Sequence, residues 1–396
     1  MNPPPLESVT VIFMHEQQVF AVQRQPYLLA FPGYHAFPGG KIDPDESSIV
    51  FETEFLCKYN ALRMRALQRE VGEELGYDLE DGIKKGEVLS LSELAEALAP
   101  PFAPVRFRTW FYRVDLSRRI NFKVDTGEFA DSFWKTPDEL LEFFHSGKSL
   151  MVPPARWVLE GLQKNPQATA FGDLSQDFAE NKTVPCMEML EGVTQYAVKS
   201  ATLPPASRTN AFMLGDVDAP KLLVDPSPNS AEEYQCLLNT IEGRKLDAIF
   251  LTHHHPDHHQ FSNHLARKLK LPIILSQDTQ QRLTLKNGED YFEQVELCNP
   301  SENEEVTRWH GSAVRVYEIP GHDAGHLGLA PDTLSWFLVG DLIQGIGTVV
   351  IPSPEGDMAT YFKTLEKVIA LNPEVIIPSH GIPMRTTHRL IETLKH

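Results

Sequence analysis

Residues 252–259 read Thr252-His253-His254-His255-Pro256-Asp257-His258-His259, five imidazoles and one carboxylate within eight residues. In an extended segment His253 and His255 point the same way, because side chains alternate with a period of two. Asp257 and His258 follow in a turn and can face a second ion. Imidazole and carboxylate without cysteine suit Zn²⁺, and also Mn²⁺ or Fe²⁺. Further donors stand just after apolar runs, at Gly321-His322, Gly340-Asp341 and Ser379-His380-Gly381. A different chemistry is written earlier in the chain. Phe37-Pro38-Gly39-Gly40-Lys41 precedes Arg69-Glu70-Val71-Gly72-Glu73-Glu74, and a helix puts Glu70, Glu73 and Glu74 on one face. Three neighbouring acids repel one another, and a hard cation such as Mg²⁺ or Mn²⁺ relieves that repulsion. The glycine pair lets backbone approach a ligand closely.

Several elements must position these residues. Residues 9–13 and 19–23 are predicted as a hairpin pair, 61–75 as a helix and 106–114 as a strand. Helices are predicted over 137–144, with Thr136 as N-cap, and over 153–163. Residues 166–185 are polar with few apolar anchors and form the linker candidate. Beyond them short apolar strands recur at 211–214, 222–224, 248–251, 272–275, 314–317, 336–339 and 375–377. Helical stretches intervene at 231–242 and 360–371, which makes this half a layered α/β domain.

The chain has 396 residues, and a prior of roughly 150 per domain gives two or three domains. Hydrophobic residues make up 42% and charged residues 23%, which excludes a disordered or fibrous chain. A net charge of −18 makes it a poor bulk binder of nucleic acid or anionic membrane. Cys57, Cys186, Cys236 and Cys298 form no CxxC pair, which fits a reducing compartment. With no basic leader and no apolar run of about 20 residues, a cytoplasmic protein without a membrane partner is expected. Of 15 His, three precede residue 181 and twelve follow it, so the two halves do different chemistry.

The first acidic segment resembles the nudix box, G-x5-E-x7-R-E-U-x-E-E-x-G-U. Gly40 and Glu46 keep the first spacing, and Arg69-Glu70-Val71-Gly72-Glu73-Glu74-Leu75-Gly76-Tyr77 matches the second half at every specified position. Between Glu46 and Arg69 stand 22 residues where the box has seven. The interrupted box, with Gln23-Arg24-Gln25 upstream, is similar to that of coenzyme A diphosphatases. A lone E-x-x-E-E would read as a solvated helix face; the glycines and the full second half favour the site. The resemblance implies a nudix α/β/α sandwich over residues 1–165. It also implies Mg²⁺ or Mn²⁺ on Glu70, Glu73 and Glu74, with one Glu as the base, Glu70 and Arg69 counted as catalytic, and Arg69 supporting the carboxylates. Glu46 has a secondary role and Glu128 is a further candidate acid. The implied chemistry is metal-assisted attack of water on a diphosphate.

The histidine segment resembles the metallo-β-lactamase superfamily signature, T-H-x-H-x-D-H followed by G-H, G-D and S-H. The resemblance implies an αββα sandwich over residues 186–396, making the whole chain α/β and α+β. It assigns His253, His255 and His322 to one Zn²⁺ (or Mn²⁺, Fe²⁺) and Asp257, His258 and His380 to another, with Asp341 bridging. Asp257 is also counted among the catalytic residues. Asp225 matches an early structural aspartate, and His326 stands behind the ligands rather than among them. His254, His259, His264 and His310 read as surface or packing residues. A water between two such ions becomes a hydroxide near neutral pH, able to attack a phosphodiester or a thioester. Aspartate at 341 points to the glyoxalase II and nuclease branches. Residues 339–350 and 361–365 resemble lactamase-beta-2-like proteins. The expectation is a two-domain, bifunctional metal-dependent hydrolase with a small-molecule substrate bearing phosphate or thioester, coenzyme A species among the candidates. The alternative is an endoribonuclease with RNA as partner and the nudix half sensing a nucleotide.

Overall fold

The computed structural model describes residues 4–43, 51–100, 103, 106–176 and 179–395. The chain divides into two compact units, Met1–Asp177 and Phe178–His396.

The first unit contains β1 (Leu6–His15), β2 (Gln18–Arg24), β3 (His35–Ala36), β4 (Gly39–Lys41), α1 (Glu54–Cys57), α2 (Ala61–Leu75) and α3 (Leu79–Lys84). It continues with β5 (Val88–Leu98), β6 (Phe107–Leu116), β7 (Phe129–Lys135), α4 (Pro137–His145), α5 (Pro153–Lys164) and β8 (Gly172–Asp173). The strands form one sheet in the order β3-β2-β1-β6-β5-β8, with β4 added on β1 and β7 on β2. Alternation along β1 decides the layers. Val9, Val11 and Phe13 pack with Met64, Leu67 and Val71 of α2. Ile12 and Met14 pack with Leu140 and Phe144 of α4 and Val158 and Leu162 of α5. Because successive side chains leave opposite faces, both faces are covered and the unit is an α/β/α sandwich.

Local signals fix the helix ends. The Asn60 side chain accepts from the backbone N–H of Leu62 and Arg63, and Gly76 closes α2 in the left-handed region at φ 60°. Thr136 and Glu139 form a reciprocal capping box at α4. The stretch predicted as a linker begins as part of this sheet. The buried Arg113 donates to the carbonyls of Pro166 and Ala168 at 2.7 and 2.8 Å, and β8 pairs with β5. Phe171 and Leu174 pack on the core, and β8 adds backbone pairing, so the stretch is anchored despite its polar composition.

The second unit contains β9 (Cys186–Leu190), β10 (Val193–Lys199), β11 (Arg208–Leu214), β12 (Leu222–Val224), α6 (Ala231–Ile241), β13 (Ala248–Phe250), α7 (Pro256–His259), α8 (Ser262–Leu269), β14 (Ile273–Ile274) and α9 (Gln277–Asn287). There follow β15 (Leu297–Cys298), β16 (Glu305–Trp309), β17 (Ser312–Glu318), β18 (Leu327–Pro331), β19 (Phe337–Gly340), α10 (Met358–Leu371), β20 (Ile376–Pro378) and α11 (His388–Lys395). One sheet runs β15-β14-β13-β12-β11-β10-β9 and the other β16-β17-β18-β19-β20. Leu237 and Ile241 of α6 and Leu265 of α8 pack on the first sheet with Leu223 and Ile249. Leu365 and Val368 of α10 and Leu390 of α11 pack on the second with Phe337 and Val339. Phe250 and Leu338, next to these strand residues and equally buried, fill the sheets' other faces.

Two parallel pairs prepare the site: β12 with β13, and β19 with β20. Parallel strands end at the same edge, so the loops that follow them cluster there. Among the described residues no helix is long and apolar enough to cross a membrane.

Candidate metal centre

Asp225 directly follows β12, and Thr252 to His255 follow β13 and lead into α7, which carries Asp257 and His258. Asp341 follows β19, His380 lies just beyond β20, and His322 sits in the connection from β17 to β18. Two donor sets hold the residues that the resemblance implies, and a third grouping, His254, His255 and Asp323, adjoins the first. His253 Nε2 and His322 Nε2 lie 2.9 and 3.0 Å from His255 Nδ1. His380 Nε2 lies 3.4 Å from both Asp257 Oδ2 and Asp341 Oδ1, and His258 Nε2 lies 3.7 and 3.5 Å from Asp257 Oδ2 and Asp341 Oδ2. Asp341 Oδ2 also lies 3.8 Å from His322 Nε2, so this aspartate stands between the sets. All seven residues that the superfamily resemblance implies as ligands are thereby brought together.

The outer nitrogens show which way the rings are set. His258 Nδ1 donates to Asp225 Oδ2 at 2.8 Å, His322 Nδ1 to Val350 O at 2.7 Å and His380 Nδ1 to Arg208 O at 3.0 Å. Thr252 Oγ1 donates to Asp225 Oδ2 at 2.6 Å and is left to accept from His253 Nδ1 at 3.0 Å. In each of these four rings Nδ1 is held from outside and Nε2 faces the centre, the orientation that ligating histidines adopt. Asp225 is buried, at φ +47°, and its carboxylate gathers Thr252 and His258.

Electrostatics separates the sets. Burial, reinforced by the neighbouring imidazoles, pushes His253 far down and His255 down to about 4. Burial alone would lower His258 too, but Asp257, Asp341 and Asp225 hold it well above the usual histidine range. Burial likewise works against charge on His380, yet Asp341 and Asp257 push it up to about 10. Asp341, despite burial, is held well below the carboxylate range by His380 and His258. The His258 Nε2, His380 Nε2 and Asp341 Oδ1 atoms are buried without a hydrogen-bond partner among the described residues. Buried donors and acceptors are normally paired, so inward-facing imidazole and carboxylate atoms left over in this way fit a pair of divalent cations.

His326 is buried beside His253, with ring centroids 4.9 Å apart, and burial brings it down to about 3. It joins neither donor set. Gly340, at φ +55°, makes room for it: a Cβ there would lie 2.2 Å from His326 Nε2. His254 is not a surface residue. It is buried, with Nδ1 2.5 Å from Asp323 Oδ2. Neither Asp323 nor Glu355, whose Oε1 lies 3.8 Å from His254 Nε2, is singled out by sequence reasoning. The only available signal is that Asp323 adjoins His322.

In the first unit α2 presents the acidic face. Arg69 Nη1 donates to Glu70 Oε1 at 2.8 Å and Glu73 Oε2 at 3.2 Å, and Nη2 donates to Lys41 O at 2.8 Å. Gly39 N donates to Glu74 Oε2 at 2.8 Å. A Cβ on Gly40 would stand 2.2 Å from Glu70 Oε1, so glycine is what lets this acid pack on β4. Burial raises Glu70, and repulsion from Glu73 and Glu128 adds to it. Burial pushes Glu74 up to about 9, with Glu70 and Glu128 contributing. Glu128 therefore lies within electrostatic reach of both. Glu46 lies outside the described residues. Among the described residues, no three donor atoms of this face converge as closely as those of the second unit. Arg69 already engages Glu70 and Glu73.

Residues 204–380 match the family model of the metallo-beta-lactamase superfamily. Over 181 residues the chain is 30% identical to a beta-lactamase-like protein 2 homolog of Drosophila melanogaster, covering 44% of this chain and 58% of that protein. It is 28% identical over 173 residues to a hydroxyacylglutathione hydrolase of Bdellovibrio bacteriovorus, 42% of this chain and 60% of that one. It is 25% identical over 245 residues to an atrochrysone carboxyl ACP thioesterase of Paecilomyces divaricatus, 58% and 71% of the two chains. The chain thus spans less than two thirds of the first two of these relatives. Residues 204–380 form a metallo-β-lactamase domain with glyoxalase II-like homologues.

Proposed function

We propose that the chain is a two-domain metal-dependent hydrolase: a thioester hydrolase over residues 186–396 and a nudix diphosphatase over residues 1–165. One observation carries the first part: seven donors meet in two sets that share Asp341. His253, His255 and His322 would hold one divalent cation, Zn²⁺ in the first instance, and Asp257, His258 and His380 the other. Such a pair acidifies a water and stabilises charge developing on a substrate oxygen. The chain's own part is to fix the rings. Asp225, Thr252, Val350 and Arg208 hold the outer nitrogens of four donors and keep Nε2 inward.

The surrounding loops favour a neutral acyl group over RNA. Residues 201–207, 251–261, 319–326, 341–357 and 379–384 contain no Lys or Arg. A polyanion binds through cations, and these segments offer none. They do expose Leu203 and Val350, and the Val350 carbonyl is the one that holds His322. The similarity to a thioesterase and to a hydroxyacylglutathione hydrolase supports the same choice.

For the first unit the proposal rests on the acidic face of α2. Glu70, Glu73 and Glu74 would hold Mg²⁺ or Mn²⁺ against a coenzyme A or nucleoside-diphosphate linkage, with Arg69 restraining the free carboxylates and Glu128 nearby. One chain would then act on both ends of an acyl-coenzyme A. The test is metal analysis together with a panel of acyl-thiols, diphosphates and short RNA. Thioester hydrolysis should vanish in Asp257→Ala/His258→Ala, and diphosphate hydrolysis alone should vanish in Glu73→Gln/Glu74→Gln. No thioester turnover by micromolar protein with added Zn²⁺ or Mn²⁺ would sink the first part. RNA cleavage abolished by Asp257→Ala/His258→Ala would put the nuclease in its place.

A further inference from the structure

We infer that the His254–Asp323 pair, backed by Glu355, is a positioning clamp that closes the first donor set. The inference rests on His253, His255 and His322 holding an ion. His254 stands between two of these donors in the chain, and Asp323 directly follows the third. The His254 ring lies beside that of His255, with centroids 5.0 Å apart, and meets the loop that carries His322. His254 Nδ1 lies 2.5 Å from Asp323 Oδ2, with the two side chains 6% and 0% exposed. Its Nε2 lies 3.8 Å from Glu355 Oε1, while Glu355 Oε2 lies 3.8 Å from His255 Nε2.

The clamp is itself braced. Gly325 N donates to Asp323 Oδ1 at 2.9 Å, and Ala324 N to Glu355 O at 3.1 Å. Leu327 N donates to Thr252 O at 2.8 Å, a second tie between the same two loops. The other donor set takes no part in this, because its outer partners are Asp225 and the Arg208 carbonyl. Loss of the pair should therefore loosen one ion and spare the other. Removing one member of a buried pair leaves its partner without compensation, and residues that orient ligands typically contribute 10- to 100-fold to metal affinity.

The experiment uses the full chain stripped of metal, titrated with Zn²⁺ against a chromophoric chelator and, separately, with Co²⁺ followed by its visible spectrum. The wild type should take up two ions. Asp323→Asn and His254→Gln should each keep one affinity and lose about 10- to 100-fold in the other. The Co²⁺ bands of one site alone should change, and the double variant should be no weaker than Asp323→Asn. Thermal unfolding checks that the variants are folded. Glu355→Gln, at a side chain 38% exposed, supplies a milder variant expected to weaken the same ion less. Equal weakening of both ions, unchanged affinities or additive losses would overturn the clamp. So would a third equivalent of metal lost with Asp323, since His254, His255 and Asp323 would then be ligands themselves. A wild type that binds no ion overturns the donor-set reading as well; two ions with unaffected variants overturn the clamp alone.

Discussion

Asp225→Asn tests whether the ring setting at the centre is as tightly specified as the geometry implies. Asn matches Asp in shape and tolerates the left-handed backbone at φ +47°, so the backbone cost is close to nil. The amide keeps one oxygen for Thr252 N, which now donates to Oδ1 at 2.8 Å. Its NH₂ group replaces the oxygen that accepts from both Thr252 Oγ1 and His258 Nδ1. Thr252 can rotate its hydroxyl. His258 can remove the donor–donor clash only by giving up its Nδ1 proton, and a neutral ring in that form carries its proton on Nε2, with no lone pair toward the centre. Losing a hydrogen bond to a charged group costs about 1.5–3 kcal/mol. A 10- to 100-fold loss of ion affinity adds about 1.4–2.7 kcal/mol when the ion is present. The expected loss is therefore about 1.5–3 kcal/mol in stripped protein and about 3–6 kcal/mol with Zn²⁺. The assay is urea unfolding followed by hydrogen exchange of the Leu222–Val224 and Ala248–Phe250 amides, which reports the second unit separately from the first. Asp225→Ala would be less informative: three stranded donors at about 1–3 kcal/mol each approach the stability of a whole domain. A loss under about 0.5 kcal/mol in stripped protein, far below a charged hydrogen bond, would refute the reasoning. An equal loss with and without Zn²⁺ would show that Asp225 does not set His258.

Asp341→Asn should weaken both ions, because Asp341 oxygens lie 3.4–3.8 Å from His258, His322 and His380; metal analysis that finds one ion fully retained would show that the aspartate is not shared. In the first unit Glu74 is raised by burial to about 9 from an unfolded value of 4.5. Folding then takes up a proton between these limits, and the stability is fully present below pH 4.5 and lost as pH rises through about 9. The expected slope is about −1.4 kcal/mol per pH unit across that window in metal-free protein. Glu74→Gln should flatten it, and urea midpoints with identical pH slopes would count against a protonated Glu74. Gly40→Ala places a Cβ 2.2 Å from Glu70 Oε1, so diphosphate turnover should fall at least about tenfold, consistent with how a small misplacement costs rate. Unchanged turnover would mean that Glu70 is not needed where it stands.

How much of this was legible in the sequence depends on the range of the interactions involved. The helix over 61–75 is read correctly to the residue because both its ends are local, an asparagine that caps and a glycine that stops. The helix after Thr136 is marked in the same way by its capping box. The converging donors are readable because each sits at a strand end beside a glycine or in the histidine run. The edge strand β8 is not readable, since its pairing depends on β5, a partner distant in the chain. Nor can composition reveal that Arg113 anchors the start of the presumed linker.

His254 is the sharpest case. It has the same side chain as both its neighbours, and nothing local marks it apart from them. The sequence offers no account of what it points at, because Asp323 and Glu355 reach it only through the tertiary fold. Residue type and spacing therefore point to the donors, whereas the groups behind them, such as Asp225 and the carbonyls of Arg208 and Val350, reach them only through the fold. It follows that a chain with the same seven donors but without the His254–Asp323 pair would have an equally readable centre and a weaker first ion.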